Sequence, residues 1–194
     1  MTSIINILSK NPELADCKSR LKKYLSRDER IFLTKKMLEM ICSEIIRVDA
    51  EACLHFFPND NGKYIEWLSK KFKIKTQHQK QGYLSDKIYS ALDEQKEIYK
   101  KRIVIGSDIP TISVDELTDC IVNLDKHDLI IGPSVDGGFY LVGVTDNVHK
   151  IFKDMELDKI SFKDILKKCI SSDISYKVIR TLKDIDTFDD LTSI

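Results

Sequence analysis

The sequence has no surplus of charge of either sign: 31 Lys and Arg stand against 31 Asp and Glu in 194 residues. General nucleic-acid binders draw most of their affinity from cations set against phosphates, so this balance argues against that role. The lysine pairs Lys22-Lys23, Lys35-Lys36, Lys70-Lys71 and Lys167-Lys168 lie among acids without interleaved aromatics and read as solvated helix faces. No apolar run approaches the roughly 18 residues of a spanning helix. Ile4–Leu8 is too short for the apolar region of an export signal, so no membrane or secretory role is expected. The five cysteines (Cys17, Cys42, Cys53, Cys120, Cys169) are odd in number and lack CxxC spacing. They read as buried thiols of a cytoplasmic protein. His55, His78, His127 and His149 show neither helical i, i+4 pairing nor cysteine partners at zinc spacing, which assigns no histidine metal site. A Gly-x-Ser-x-Gly elbow and a Gly-Lys-Ser/Thr phosphate loop are both missing, which disfavours serine-hydrolase and P-loop chemistry.

What is present is a core. With 42% hydrophobic and 32% charged residues the chain is neither disordered nor fibrous, and its length suits one compact domain over residues 1–194. Short β-type runs alternate with helical patterns, the mark of α/β architecture. Strands are expected over Ser3–Leu8, Ala52–Phe57, Phe72–Thr76, Arg102–Ile105, Asp128–Ile131, Phe139–Val144 and Tyr176–Leu182. Helices are expected over Asp28–Ile46, with Ile31, Leu38, Ile41 and Ile45 on one face, and over Gly62–Lys71. Further helices are expected over Ser85–Tyr99 with a serine cap, Val114–Leu124 and Ser161–Ser171, with a last turn near Thr187.

Chemistry in such sheets gathers beyond the carboxyl ends of the strands. Three segments end there with informative residues. In Ile103–Pro110 an apolar strand stops at Gly106-Ser107-Asp108, where a carboxylate suits a hard divalent cation and equally suits a turn or cap. In Ile130–Gly143 two strands are joined through Asp136-Gly137-Gly138, which serves a close backbone approach to a ligand or a plain hairpin. In Leu182–Leu191, Asp184 and Asp186 point the same way if the extended run persists, and capping is the alternative role for Asp186.

Taken together, Ser-Asp-x-Pro, Gly-Pro-x-x-Asp-Gly-Gly-x-Tyr-Leu-x-Gly and Asp-x-Asp-Thr-x-x-Asp-Leu resemble one family in order and spacing. This is the GT-A-type nucleotide-diphospho-sugar transferase-like family, including the radical-SAM/selenodomain-associated glycosyltransferase group. It is distantly similar to phospholactate guanylyltransferases and to molybdenum-cofactor and sugar-acid nucleotidyltransferases. Pro12–Leu21 resembles the family's Pro-x-x-Gly-x-x-Lys-Thr-Arg-Leu, and Gln79–Ser85 its Gln-x-x-Gly-Asp-Leu-Gly. Ala15, Ser19, Tyr83 and Ser85 depart from those patterns, and Ala15 and Ser85 are expected to narrow the nucleotide pocket.

The resemblance implies a three-layer α/β/α Rossmann-like GT-A domain with a mostly parallel sheet. It implies that Lys18 and Arg20 meet phosphates, with Gly82 and Ser107 also at the nucleotide. Asp108 and Asp186, with Asp184 nearby, are implied to hold Mg²⁺ or Mn²⁺. The Asp136-Gly137-Gly138 loop and Tyr140 are implied to flank a small-molecule acceptor, so that Lys18, Asp108 and Asp136 carry the chemistry. The expected activity is metal-dependent transfer from a nucleotide-activated donor, glycosyl transfer first and nucleotidyl transfer from an NTP as its alternative. A nucleotide-binding protein without catalysis is the alternative of another class.

Overall fold

The computed structural model describes residues 3–60, 62–153, 155 and 160–192. Among them, β1 (Ser3–Lys10), β2 (Glu51–Phe57), β3 (Lys75–His78), β4 (Lys101–Gly106), β5 (Leu129–Pro133), β6 (Phe139–Val144) and β7 (Tyr176–Val178) form one sheet. The near-continuous apolar runs of β1, β2 and β4 are buried on both faces, as parallel strands covered by helices on each side must be. The strand order is β3-β2-β1-β4-β6-β5-β7, and only β6 runs antiparallel to its neighbours.

Among the described residues, the α-helices that accompany the sheet are α1 (Arg27–Ile45), α2 (Lys63–Phe72), α3 (Leu84–Asp93), α4 (Val114–Asn123), α5 (Phe162–Ser171) and α6 (Phe188–Leu191). The period of two in a strand sorts the core into two clusters. Ile103 and Ile105 of β4 pack with α1, α2 and α4 through residues such as Leu38, Leu68 and Leu117. Val104, between them, packs on the other face with Ile88 of α3 and Ile165 of α5. The expected three-layer α/β/α arrangement is therefore present. Among the described residues the five cysteines are buried and unpaired, and no helix is long and apolar enough to cross a membrane.

Local chemistry explains the element bounds. α1 opens on a reciprocal cap in which Ser26 Oγ accepts from the Glu29 amide and Glu29 Oε2 accepts from the Ser26 amide. Its buried stripe is Arg30, Thr34, Leu38, Ile41 and Ile45, so Ile31 sits at the margin instead of on the core face. The expected strand at Phe72 is replaced by helix, because Phe72 completes the buried row Tyr64, Ile65 and Leu68 of α2. Lys73 then turns the chain at φ 54°, and β3 begins at Lys75. Ser85 does not cap α3: the cap is Tyr83, whose amide donates to Asp86 Oδ2 at 2.9 Å, and the helix ends at Asp93 instead of Tyr99. After Val178 the chain still follows β5, through Ile179 N to Ile131 O and Leu182 N to Pro133 O, each near 3 Å. The Arg180 carbonyl accepts from the Tyr140 hydroxyl, and Pro133 opposite has no N–H to donate, so the strand expected to reach Leu182 ends at Val178.

The chain reverses direction of sheet growth at β1. β2 and β3 lie on one side of it and β4 on the other, which opens a crevice at the strand carboxyl ends.

Candidate active site

Three loops meet over that crevice. The first follows β1 and is braced from below by Asp16, which accepts from Arg30 Nη1 and Lys22 Nζ, each at 2.7 Å. Arg30, on the buried stripe of α1, also donates to the Cys17 carbonyl at 2.6 Å, so the brace locks the residue before Lys18. Lys22 and Arg30 hold the Asp16 carboxyl down at about 2, below its ordinary value of 3.8. The folded value is the lower one, so this support is complete above the ordinary value and is lost as pH falls through about 2. Asp16→Asn is expected to remove the acid limb it contributes. In urea unfolding at stepped pH, the wild-type advantage over the variant shrinks between about pH 4 and about pH 2. An advantage constant over that range overturns the assignment.

Lys18 adopts a left-handed backbone conformation (φ 49°) at the head of a short 3-10 turn, Ser19–Leu21, and its side chain is only 4% exposed. Its ammonium lies 2.6 Å from Asp108 Oδ1 and 3.2 Å from Asp186 Oδ1 and also donates to the Ile185 carbonyl. Arg20 Nη1 reaches Asp186 Oδ2 at 2.9 Å. The Ile185 amide in turn donates to the Asp108 carbonyl at 2.9 Å, tying the third loop to the end of β4. Thr187, with Asp190, caps α6, which frees Asp186 from the capping role.

Two clefts of about 370 and 450 Å³ flank this cluster and share Arg20, Leu84, Asp108 and Asp186. The smaller is cationic, with Lys10, Lys18 and Lys87 alongside Ser107 and Gln79. The larger holds Asp136, Asp184, Gly137, Gly138, Phe139 and Tyr140. Asp136 accepts from the Ser134 hydroxyl and, at 2.9 Å, from the Gly138 amide, and those bonds, the hydroxyl's first, lower its carboxyl's affinity for protons. Gly137, at φ 90°, closes the β5–β6 turn, so this loop is a hairpin and a cleft wall at once. Burial, then the nearby Asp136 charge, pushes the Asp184 carboxyl up.

The sequence-derived candidates divide in part: Lys18 and Ser107 line only the cationic cleft, Asp136, Gly137, Gly138, Tyr140 and Asp184 only its neighbour, and Arg20, Asp108 and Asp186 both. Tyr140 is 3% exposed and spends its hydroxyl on the Arg180 carbonyl. Gly82 lines neither cleft. Its φ of 130° and the 2.5 Å from a built Cβ to Asp86 Oδ2 make it a turn that lets Asp86 cap α3. Ala15 and Ser85 do not narrow the pocket: neither lines it, and the Ser85 hydroxyl donates to the Met155 carbonyl. Lys10, Gln79 and Lys87 also line the cationic cleft, and of these only Gln79 has a sequence signal, as the first residue of the Gln79–Ser85 motif.

Asp108 and Asp186 offer hard oxygen donors, 49% and 32% exposed by side chain, beside cations suited to phosphate, a donor set that fits a divalent cation arriving with phosphate oxygens. Asp184 does not complete a three-carboxylate cage with them, since no group of three His, Cys, Asp or Glu among the described residues is placed to hold a metal ion.

A family model described as an uncharacterized protein conserved in bacteria (DUF2064) matches residues 45–159, more than half of the chain. The 2-phospho-L-lactate guanylyltransferase of Methanocaldococcus vulcanius is 30% identical over 183 residues, covering 91% of this chain and 78% of that protein. Its counterpart from Methanocaldococcus jannaschii is 26% identical over 180 residues, covering 91% of this chain and 76% of that protein. Among solved structures, a candidate nucleotide-diphospho-sugar transferase from Desulfovibrio desulfuricans G20 shares the fold at a TM-score of 0.88 and 21% identity, covering 98% of this chain and 84% of that one. The chain belongs to the DUF2064 family, is related to the 2-phospho-L-lactate guanylyltransferases and is built on the GT-A-like transferase fold.

Proposed function

We propose that the chain is a transferase that moves a nucleotidyl group, guanylyl first among them, from an NTP to a small hydroxyl-bearing acceptor. The observation that carries this reading is the convergence of Lys18, Arg20, Asp108 and Asp186 between a cationic cleft and a second cleft open beside it. Cations fixed after the first strand suit the donor's phosphates, and the neighbouring cleft suits an acceptor set in line with them. The relatives named as guanylyltransferases, matched over 91% of the chain, support the nucleotidyl form.

In that reaction an acceptor oxygen attacks the donor's α-phosphorus, the bond from that phosphorus to the β-phosphate oxygen breaks, and pyrophosphate leaves as the acceptor hydroxyl gives up its proton. Lys18 and Arg20 orient the phosphates and offset their charge, and Asp136 with Gly137 and Gly138 borders the acceptor. Asp108 and Asp186 would hold Mg²⁺ or Mn²⁺, which would supply charge neutralisation at the leaving phosphate. Burial of the five unpaired cysteines fits a cytoplasmic setting, and the fold supports one catalytic domain over residues 1–194. Glycosyl transfer is the second reading, favoured by the fold shared with the candidate nucleotide-diphospho-sugar transferase.

Thermal shift against NTPs and nucleotide-diphospho-sugars, each with and without Mg²⁺ or Mn²⁺, tests the reading, because preferential binding to the native state raises Tm. Metal-dependent stabilisation by GTP is expected. Stabilisation by a nucleotide-sugar alone favours glycosyl transfer, and silence across the panel overturns both.

A further inference from the structure

Beyond Ile185 the third loop meets the first through ion pairs and through a ring stack. In the ion pairs, Lys18 Nζ lies 3.2 Å and Arg20 Nη1 2.9 Å from oxygens of the Asp186 carboxylate. In the stack, Tyr24, four residues after Arg20, lies against Phe188, two residues after Asp186, with ring centroids 4.5 Å apart and planes 19° from parallel.

A bound donor acts differently on the two contacts. Phosphate oxygens drawn to Lys18 and Arg20, and a divalent cation drawn to Asp186, compete for the charges that pair with one another in the free protein. The ion pairs therefore give way at the moment when the two loops must act together. A stack of uncharged rings is indifferent to that exchange.

The rings also stand where a fastening is needed. Phe188 opens α6, a helix of four residues with no buried residue and too short to hold its own shape. The Tyr24 amide donates at 2.9 Å to the carbonyl of Leu21, which is fully buried beside Arg20, so its ring projects from a turn anchored in the core. Tyr24 is 59% and Phe188 38% exposed, and neither packs with either core cluster. What the two rings secure is the approach of one loop to the other.

We propose that Tyr24 and Phe188 form a positioning clasp, whose stack keeps Asp186 opposite Lys18 and Arg20 once a nucleotide and its metal have taken over the charges. The inference rests on the transferase reading above.

The test is calorimetry on the full chain with GTP as the probe at stepped Mg²⁺ concentrations. Tyr24→Ala and Phe188→Ala are each expected to raise the Mg²⁺ needed for half of the metal-dependent GTP binding by about two- to tenfold, the worth of one aromatic pair. Excess Mg²⁺ is expected to restore wild-type GTP affinity in both. The double variant should lose no more than either single one, and Tyr24→Phe, which keeps the ring, should match the wild type. A pair that only braced the fold would weaken GTP binding at every Mg²⁺ concentration, and that result overturns the inference. So does an unchanged Mg²⁺ requirement in the alanine variants, or losses that add in the double variant. A Tyr24→Phe loss equal to that of Tyr24→Ala overturns it by moving the effect to the hydroxyl. The wild type tests the underlying reading separately: if it binds no GTP, or binds it without response to Mg²⁺, that reading fails and takes the clasp with it.

Discussion

Asp108→Asn is expected to lower turnover on the order of 10²–10³-fold, the usual cost of removing one electrostatic contact from a transition state. The substitution keeps the shape of the side chain and the backbone carbonyl that accepts from the Ile185 amide. What it removes is a charge 2.6 Å from the Lys18 ammonium and one half of the carboxylate pair. Asp186 would then face Lys18 and Arg20 alone, with no second acid to share a divalent cation. Calorimetry should show nucleotide binding that no longer responds to Mg²⁺, with Tm little changed. Metal-dependent nucleotide binding equal to the wild type would remove Asp108 from the metal pair.

Gly143→Ala is the substitution expected to act most strongly on stability. Gly143 sits in β6 against α4 and its C-terminal end, and a Cβ built there lies 2.7 Å from Cys120 Sγ and 3.1 Å from Leu124 Cδ1. Cys120 is fully buried and Leu124 nearly so, which leaves the helix little room to give. Overpacking at such a site costs about 2 kcal/mol, and Tm should fall by about 4–8 °C in a chain of this size. Nucleotide affinity should not move, because the new methyl would face α4 and not either cleft. A Tm within about a degree of the wild type would show that α4 shifts freely. The last glycine of the Asp136–Gly143 motif is thus a packing residue, while Gly137 and Gly138 line the larger cleft.

The parts of the fold legible in the sequence were those with strong, bounded patterns. β1, β2, β4 and β6 are apolar runs flanked by polar or glycine residues, and α1 repeats its buried positions over five turns. β3 was misplaced because Lys75-Thr76-Gln77-His78 is a polar edge strand with no apolar face to reveal it. The cap of α3 is hidden from the sequence because the Tyr83 amide donates forward to Asp86 Oδ2, and nothing in Ser85 itself distinguishes it from a cap.

In the site, each loop announced its acid or base separately. That Lys18, Asp108 and Asp186 meet depends on sheet order, which brings β1 and β4 side by side although the two strands are far apart in sequence. Asp184 and Asp186 both line the larger cleft, although the regular strand ends before them at Val178. Gln79 opens one of the family-like motifs, but the orientation of its amide exists only once the Ser9 and His55 carbonyls are in place.

The two margins of the sheet have a consequence for how copies of this chain behave at high concentration. Open backbone groups on an outer strand invite another chain to add on, and that invitation grows with length, flatness and apolar character. β3 is four residues long, without a buried residue, and carries Lys75 and His78. β7 is three residues long with Lys177 at its centre, and the segment after it follows β5 only through scattered backbone bonds at Ile179 and Leu182. Neither margin offers a template for cross-strand growth, so fibril-like association by strand addition is disfavoured at both ends of the sheet.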